Sequence, residues 1–141
     1  MPGLARFLKE QERDYPVALS ELRAGRKRGH WMWWIFPQLA ALGVSPRSKD
    51  FGLEDMAEAT AYLDNMTLQT RLTEACEAVL SHRDQEIEQI LGTIDARKLR
   101  SSMTLFEAAE TLSSSDSSAI FTRVLVTFYN GSRCPRTLER L

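Results

Sequence analysis

Residues Gly25 to Gln38 read GRKRGHWMWWIFPQ, setting three tryptophans, a phenylalanine, a histidine and a glutamine directly behind the basic run Arg26, Lys27 and Arg28. Large aromatics bury much apolar area, and a His or Gln buried with them must find hydrogen-bond partners. The stretch therefore reads as the centre of a core or the wall of a pocket. If residues 29–37 are helical, the 3.6-residue period brings His30, Trp34 and Gln38 onto one face with Trp31 beside them, and turns Met32, Ile35 and Phe36 elsewhere. Two readings follow. In one, His30 and Gln38 satisfy buried backbone groups while the indoles fill the core. In the other, an indole sandwiches a planar ligand, His30 and Gln38 read its edge, and Lys27 or Arg28 neutralises an attached phosphate.

Working outward, Leu4, Phe7, Leu8 and Gln11 have helical spacing. Tyr15, Leu19 and Leu22 carry a second stripe ending at Gly25, with Pro16 suited to a first turn. Residues 43–52, with Pro46 and two glycines, read as an ordered loop. Met56, Ala59, Thr60 and Leu63 mark a helix, and Leu68, Leu72, Cys76, Val79 and Leu80 mark another, since a strand would scatter each set over both faces. Asp84 is the predicted cap of a short helix through Leu91, and Asp95 that of a longer one to about Leu112. The polar loop Ser113 to Ser118 offers Asp116 or a serine to start the next. There Phe121, Val124, Leu125 and Phe128 form a stripe that Ile120, Val126 and Tyr129 widen nearly all round, which predicts a central helix. A strand from Ile120 to Phe128 is the alternative, given the β-branched and aromatic content. Asn130-Gly131 predicts a turn before a short terminal helix, Arg136 to Leu141. The expected fold class is all-α, one compact multihelical domain over residues 1–141.

The helix opened by Asp95 carries the second informative pattern. Leu99, Met103 and Phe106 define its apolar face, yet Ser102 falls within that face and Lys98 sits one turn earlier. A lysine there needs a partner, and Asp95 is the nearest in sequence. Asp95, Lys98 and Ser102 read either as a satisfied structural network or, with Ser101 and Thr104, as the polar wall of an anion pocket opposite the tryptophans. A serine–lysine nucleophile pair at i, i+4 within one helix is weakly indicated.

The 141 residues, 43% hydrophobic and 26% charged, suffice for one core. Eighteen basic and 19 acidic side chains leave a net charge of -1, whereas a domain gripping a nucleic-acid backbone usually has a clear basic excess. General nucleic-acid binding is therefore not expected. Cys76 and Cys134 lie far apart with no CxxC, which argues against a disulfide scaffold or a metal site and for a reduced cytoplasm. Cys76 reads as a core residue and Cys134 as exposed. The amino terminus becomes charged too early for a signal peptide, and the apolar run Trp31 to Pro37 is far short of the roughly 20 residues that span a bilayer. No membrane partner and no cofactor are expected, and the chain reads as a monomer.

The blocks GRKRGHWMWWIFPQL and KLRSSMTLF (Lys98 to Phe106), with an opening in which Gln11, Tyr15, Ala18, Leu19, Glu21, Leu22, Arg23 and Gly25 recur and an AYL at Ala61 to Leu63, resemble the domain of unknown function 1810 family. The resemblance covers essentially the whole chain. It implies a mostly helical, Rv-1873-like domain with no established activity. The chain departs from the family pattern at Asn65-Met66, where His-Pro is common, and at Cys134, where an Asp is usual. The calpastatin-like label that such proteins often carry implies a long disordered chain, and a short aromatic sequence patterned for a core argues against it.

The expected function is binding of a small planar or nucleotide-like anionic ligand by Lys27, Arg28, His30, Trp31, Trp34, Gln38, Asp95, Lys98, Ser101 and Ser102. A small hydrolase with His30 or Asp95 as general base, and a helical protein-interaction module with an exposed aromatic patch, are the alternatives. Exposure of the three indoles discriminates among them.

Overall fold

A computed structural model describes residues 3–43, 45–113 and 119–141. Their helices are α1 (Ala5–Ala24), α2 (Met32–Ile35), α3 (Pro46–Asp50), α4 (Met56–Asp64), α5 (Met66–Leu80), α6 (Ile87–Leu91), α7 (Thr93–Glu110), α8 (Ile120–Tyr129) and α9 (Pro135–Leu138), with a 3-10 turn at Ala40–Leu42. The fold is all-α. Among the described residues the only extended pairing is an isolated bridge between Leu39 and Leu53, and the alternative strand from Ile120 is helix.

The two stripes expected before Gly25 are one continuous helix, with Pro16 in its interior. Phe7, Gln11, Ala18 and Leu22 form a single buried face across that proline, packed along α5. Burial of this face outweighs the one backbone hydrogen bond that Pro16 cannot donate. Residues 43–52 are likewise not simply a loop. Ser45 caps α3, its Oγ accepting from the Ser48 N–H at 3.1 Å, with Pro46 opening the helix. Gly52 is required beside it, because a Cβ there would lie 2.2 Å from the Ala40 Cα.

Asn65, at the departure from the family pattern, supplies its own cap to α5 by accepting from the Leu68 N–H at 3.0 Å. Glu86 rather than Asp84 starts α6, in a reciprocal box with Gln89, because the chain is still turning off the end of α5 as far as Gln85. α7 starts at Thr93 behind Gly92, which places Asp95 in the first turn instead of at the cap. The cap expected for α8 at Asp116 or a neighbouring serine lies outside the described residues; the helix is preceded by Ala119 in a left-handed conformation, φ 55°.

The central helix is α7, not α8. α8 buries only Ile120, Phe121, Val124 and Leu125, and Val126 is 58% exposed. α7 packs against α4, α6, α8 and α9 and buries Ser101, Ser102 and Thr104 along with its apolar face. Two of those hydroxyls turn back to their own helix, Ser101 Oγ donating to Arg97 O at 3.2 Å and Thr104 Oγ1 to Arg100 O at 2.8 Å. Such self-satisfaction lets a helix of modest hydrophobicity be buried. Edge-on and tilted ring contacts from Phe7 to Tyr62, Phe106 and Phe121, with centroids 5.2 to 5.6 Å apart, tie α1, α4, α7 and α8 into one core. Gln11 joins α2 to that chain, its Nε2 donating to Trp34 O at 2.7 Å and to Tyr62 OH at 3.0 Å.

Candidate functional site

The tryptophan segment forms only the single turn Met32–Ile35, so His30, Trp34 and Gln38 do not share a face. Phe36, ahead of Pro37, leaves the helical region at φ -125°, ψ 74°, as a residue before proline tends to. Before the turn, Glu21 Oε1 accepts from the backbone N–H groups of Arg28 at 2.8 Å and Gly29 at 2.9 Å and from the Trp31 indole at 2.9 Å, which pins residues 28–31 to α1 in a bent, non-helical path. Burial alone would raise the Glu21 carboxyl, but these three donors and the nearby Lys27 charge outweigh it and hold the group below its ordinary range. Trp31 and Trp34 are 2% and 4% exposed. The Trp34 indole donates to Asp14 Oδ2 at 3.0 Å. Both rings are core with satisfied N–H groups, so neither offers a face to a ligand or a partner. Trp33 is the half-buried member of the triplet.

A groove of about 470 Å³ runs between residues 27–33 and the start of α7. Lys27 Nζ lies 2.8 Å from Asp95 Oδ2, donates to Gly29 O at 2.5 Å, and stands 5.0 Å from the Trp31 ring. Lys98 Nζ lies 3.6 Å from Asp95 Oδ1 and 4.9 Å from the Trp33 ring centroid. The expected Asp95–Lys98 pair therefore exists, but Lys27 is the closer partner. Arg28 and His30 complete the rim, and His30 is exposed with no hydrogen-bond partner among the described residues. Gly92 turns the chain into α7 at φ 87°, ψ 163°, a conformation essentially reserved for glycine, with nothing within 4 Å of the missing Cβ. No side chain caps α7 at Gly92, so the first N–H groups of an 18-residue helix face this groove with the positive end of its dipole. Lys27, Arg28 and Lys98 stand there against the one carboxylate of Asp95.

Gln38 and Ser101 lie apart from this groove. They line a second hollow of about 400 Å³ that shares only Ile94 and Lys98 with it. Cys134 is there too, half-buried rather than exposed, with its sulfur 3.2 Å from Ser101 Oγ. Ser102 lines neither hollow; it is fully buried and its hydroxyl has no partner among the described residues. Thus Lys27, Arg28, His30, Asp95 and Lys98 assemble in the groove, Gln38 and Ser101 meet Lys98 in the neighbouring hollow, and Trp31, Trp34 and Ser102 are core. Gly92 and Ile94 went unnoticed in the sequence, and Trp33 was singled out only as one of the three indoles whose exposure discriminates among the readings. Gly92-Thr93 ahead of Asp95 was the available signal, since acidic residues concentrate in the first turn of a helix and glycine is tolerated at its cap.

Together these features define a small all-helical domain with a basic cleft at the amino terminus of its central helix. The chain belongs to the family described as protein of unknown function DUF1810, whose model matches residues 2–141. It is similar, at 43% identity and a TM-score of 0.91, to the conserved hypothetical protein Rv1873 from Mycobacterium tuberculosis, the match covering 98% of this chain and 95% of that one. Comparison with curated proteins yields no match. Among the described residues, no helix is long and apolar enough to cross a membrane.

Proposed function

We propose that this protein binds a small planar or nucleotide-like anion in the groove before α7, as a cytoplasmic monomer without a cofactor. The supporting observation is the uncapped start of α7 at Gly92, flanked by Lys27 and Lys98. Free N–H groups, a helix dipole and two ammonium groups make a phosphate site. The planar part of the ligand lies against the Met32–Trp33 wall, with Arg28 and His30 at the rim. Asp95 holds the two lysines in place. A hydrolytic reading has less support, because Asp95 is engaged by two cations, and an aromatic docking patch has less because Trp31 and Trp34 are buried.

Calorimetric titration with AMP, ADP and inorganic phosphate, alongside tryptophan fluorescence, tests this. Binding is expected for at least one nucleotide, weakened about tenfold or more in Lys98→Met, as for the loss of a charge-assisted hydrogen bond. Absence of both heat and fluorescence change across the panel overturns the proposal.

A further inference from the structure

We infer that the second hollow is a separate site for a small phosphate-bearing polyanion, seated between the arginines of α7 and α9 against Cys134. Arg97, Lys98, Arg100 and Arg136 line it, and no Asp or Glu does. Lys98 is paired with Asp95; the three arginines have no ion pair among the described residues. Arg100 is held in place by neutral acceptors alone, Nε donating to Ser132 O at 2.9 Å and Nη2 to Ser132 Oγ at 2.7 Å and Arg133 O at 2.8 Å. The facing segment is pinned to α7 as well, the Cys134 N–H donating to Thr104 Oγ1 at 3.0 Å. The concavity is therefore built before any ligand arrives.

Like charges gathered around one hollow repel each other, an effect that salt screens only in part within a Debye length of about 10 Å. The chain carries a net charge of -1, so a general basic excess does not explain the cluster. A bound anion removes the repulsion. Guanidinium forks match phosphate oxygens, and a polyanion balances several of the unpaired arginines where a monoanion balances one. Burial raises the Cys134 thiol, but hydrogen bonds from Ser101 and from the N–H groups of Thr137 and Arg136 outweigh it, leaving the thiol below its ordinary range. Cys134 is thus a reactive reporter for the site, and Cys76, fully buried, stays silent.

The test follows alkylation of the full chain by iodoacetamide, a neutral reagent, by intact mass, with and without inorganic pyrophosphate at constant ionic strength. Saturating pyrophosphate is expected to slow Cys134 alkylation about tenfold or more, by covering the thiol and by disfavouring the thiolate. The slowing should vanish in the Arg97→Gln/Arg136→Gln double variant, whose thermal midpoint without ligand should be unchanged or higher. It should persist in Arg28→Gln, which alters only the first groove, so a failed nucleotide panel does not affect this readout. Equal alkylation rates with and without pyrophosphate in the wild type, or protection that survives in the double variant, overturn the inference.

Discussion

At the scale of single residues, the three adjacent tryptophans have three environments. Trp31 answers to Glu21, Trp34 to Asp14, and Trp33 lines the groove under Lys98. Asp95 has the more testable role, because it serves two lysines unequally. Lys98→Met leaves the carboxylate its 2.8 Å partner and should change stability by less than about 1 kcal/mol, as expected of a loosely held, partly exposed pair. Lys27→Met removes the charge of a side chain only 9% exposed and leaves Asp95 with a partner at 3.6 Å. That should cost about 2 kcal/mol, less than a fully buried pair. Urea denaturation of the two variants and of Lys27→Met/Lys98→Met measures the asymmetry; equal costs would show that the two lysines share the charge evenly.

At the scale of elements, the two main helices of the carboxyl-terminal half begin in opposite ways. α7 follows a glycine at φ 87°, and α8 follows an alanine at φ 55°. Gly92→Ala forces a Cβ into a region reserved for glycine and should destabilise by about 1–3 kcal/mol. Ala119→Gly relieves a left-handed alanine and should stabilise by up to about 1 kcal/mol. Thermal unfolding of both variants decides the matter, and a stabilising Gly92→Ala would mean that the start of α7 does not require glycine. Much of this element layout was legible beforehand. The stripes through Met56–Leu63 and Leu68–Leu80 lie in α4 and α5 because those helices bury one face each. The helix ends were less legible, since Asp84 and Asp95 are plausible caps by composition and only the turn leaving α5 and the close of α6 determine which residue opens the next helix.

At the scale of the whole molecule, stability is bounded on both sides by groups whose protonation differs between the folded and unfolded chain. The carboxyls of Asp14, Glu21 and Glu107 lie below their ordinary values. For Asp14 and Glu107 the first cause is a hydrogen bond from an arginine, Arg13 and Arg133 respectively; for Glu21 backbone and indole donors overcome burial. A lowered folded pKa contributes stability that is complete above the unfolded value, about 4, and is lost as pH falls through the folded one. Tyr15, Tyr62 and Tyr129 are raised, burial being the first cause in each. Their contribution is complete below about pH 10 and lost as pH rises beyond it. The thermal midpoint should therefore be broad and flat near neutrality and fall on both sides, with a shallower acid limb in Glu21→Gln. A midpoint still rising below pH 4 contradicts this.

What the amino-acid order determined by itself was the helical class and most of the apolar faces, because a 3.6-residue period is a local property that burial on one side imposes wherever a helix packs. It also marked Lys27, Arg28, His30, Asp95 and Lys98, whose chemistry demands partners. Only the tertiary structure decided which of them meet. Glu21, seven residues upstream of Arg28, pins the Arg28 and Gly29 N–H groups and the Trp31 indole to α1, and a single turn stands where a helix over residues 29–37 was expected. The packing of α2 against α1 and α5 buries Trp31 and Trp34 and leaves Trp33 beside Lys98. The hollow around Cys134 exists because residues 132–134 fold back onto α7 through Arg100 and Thr104, contacts about thirty residues apart in the chain. No local period encodes such contacts.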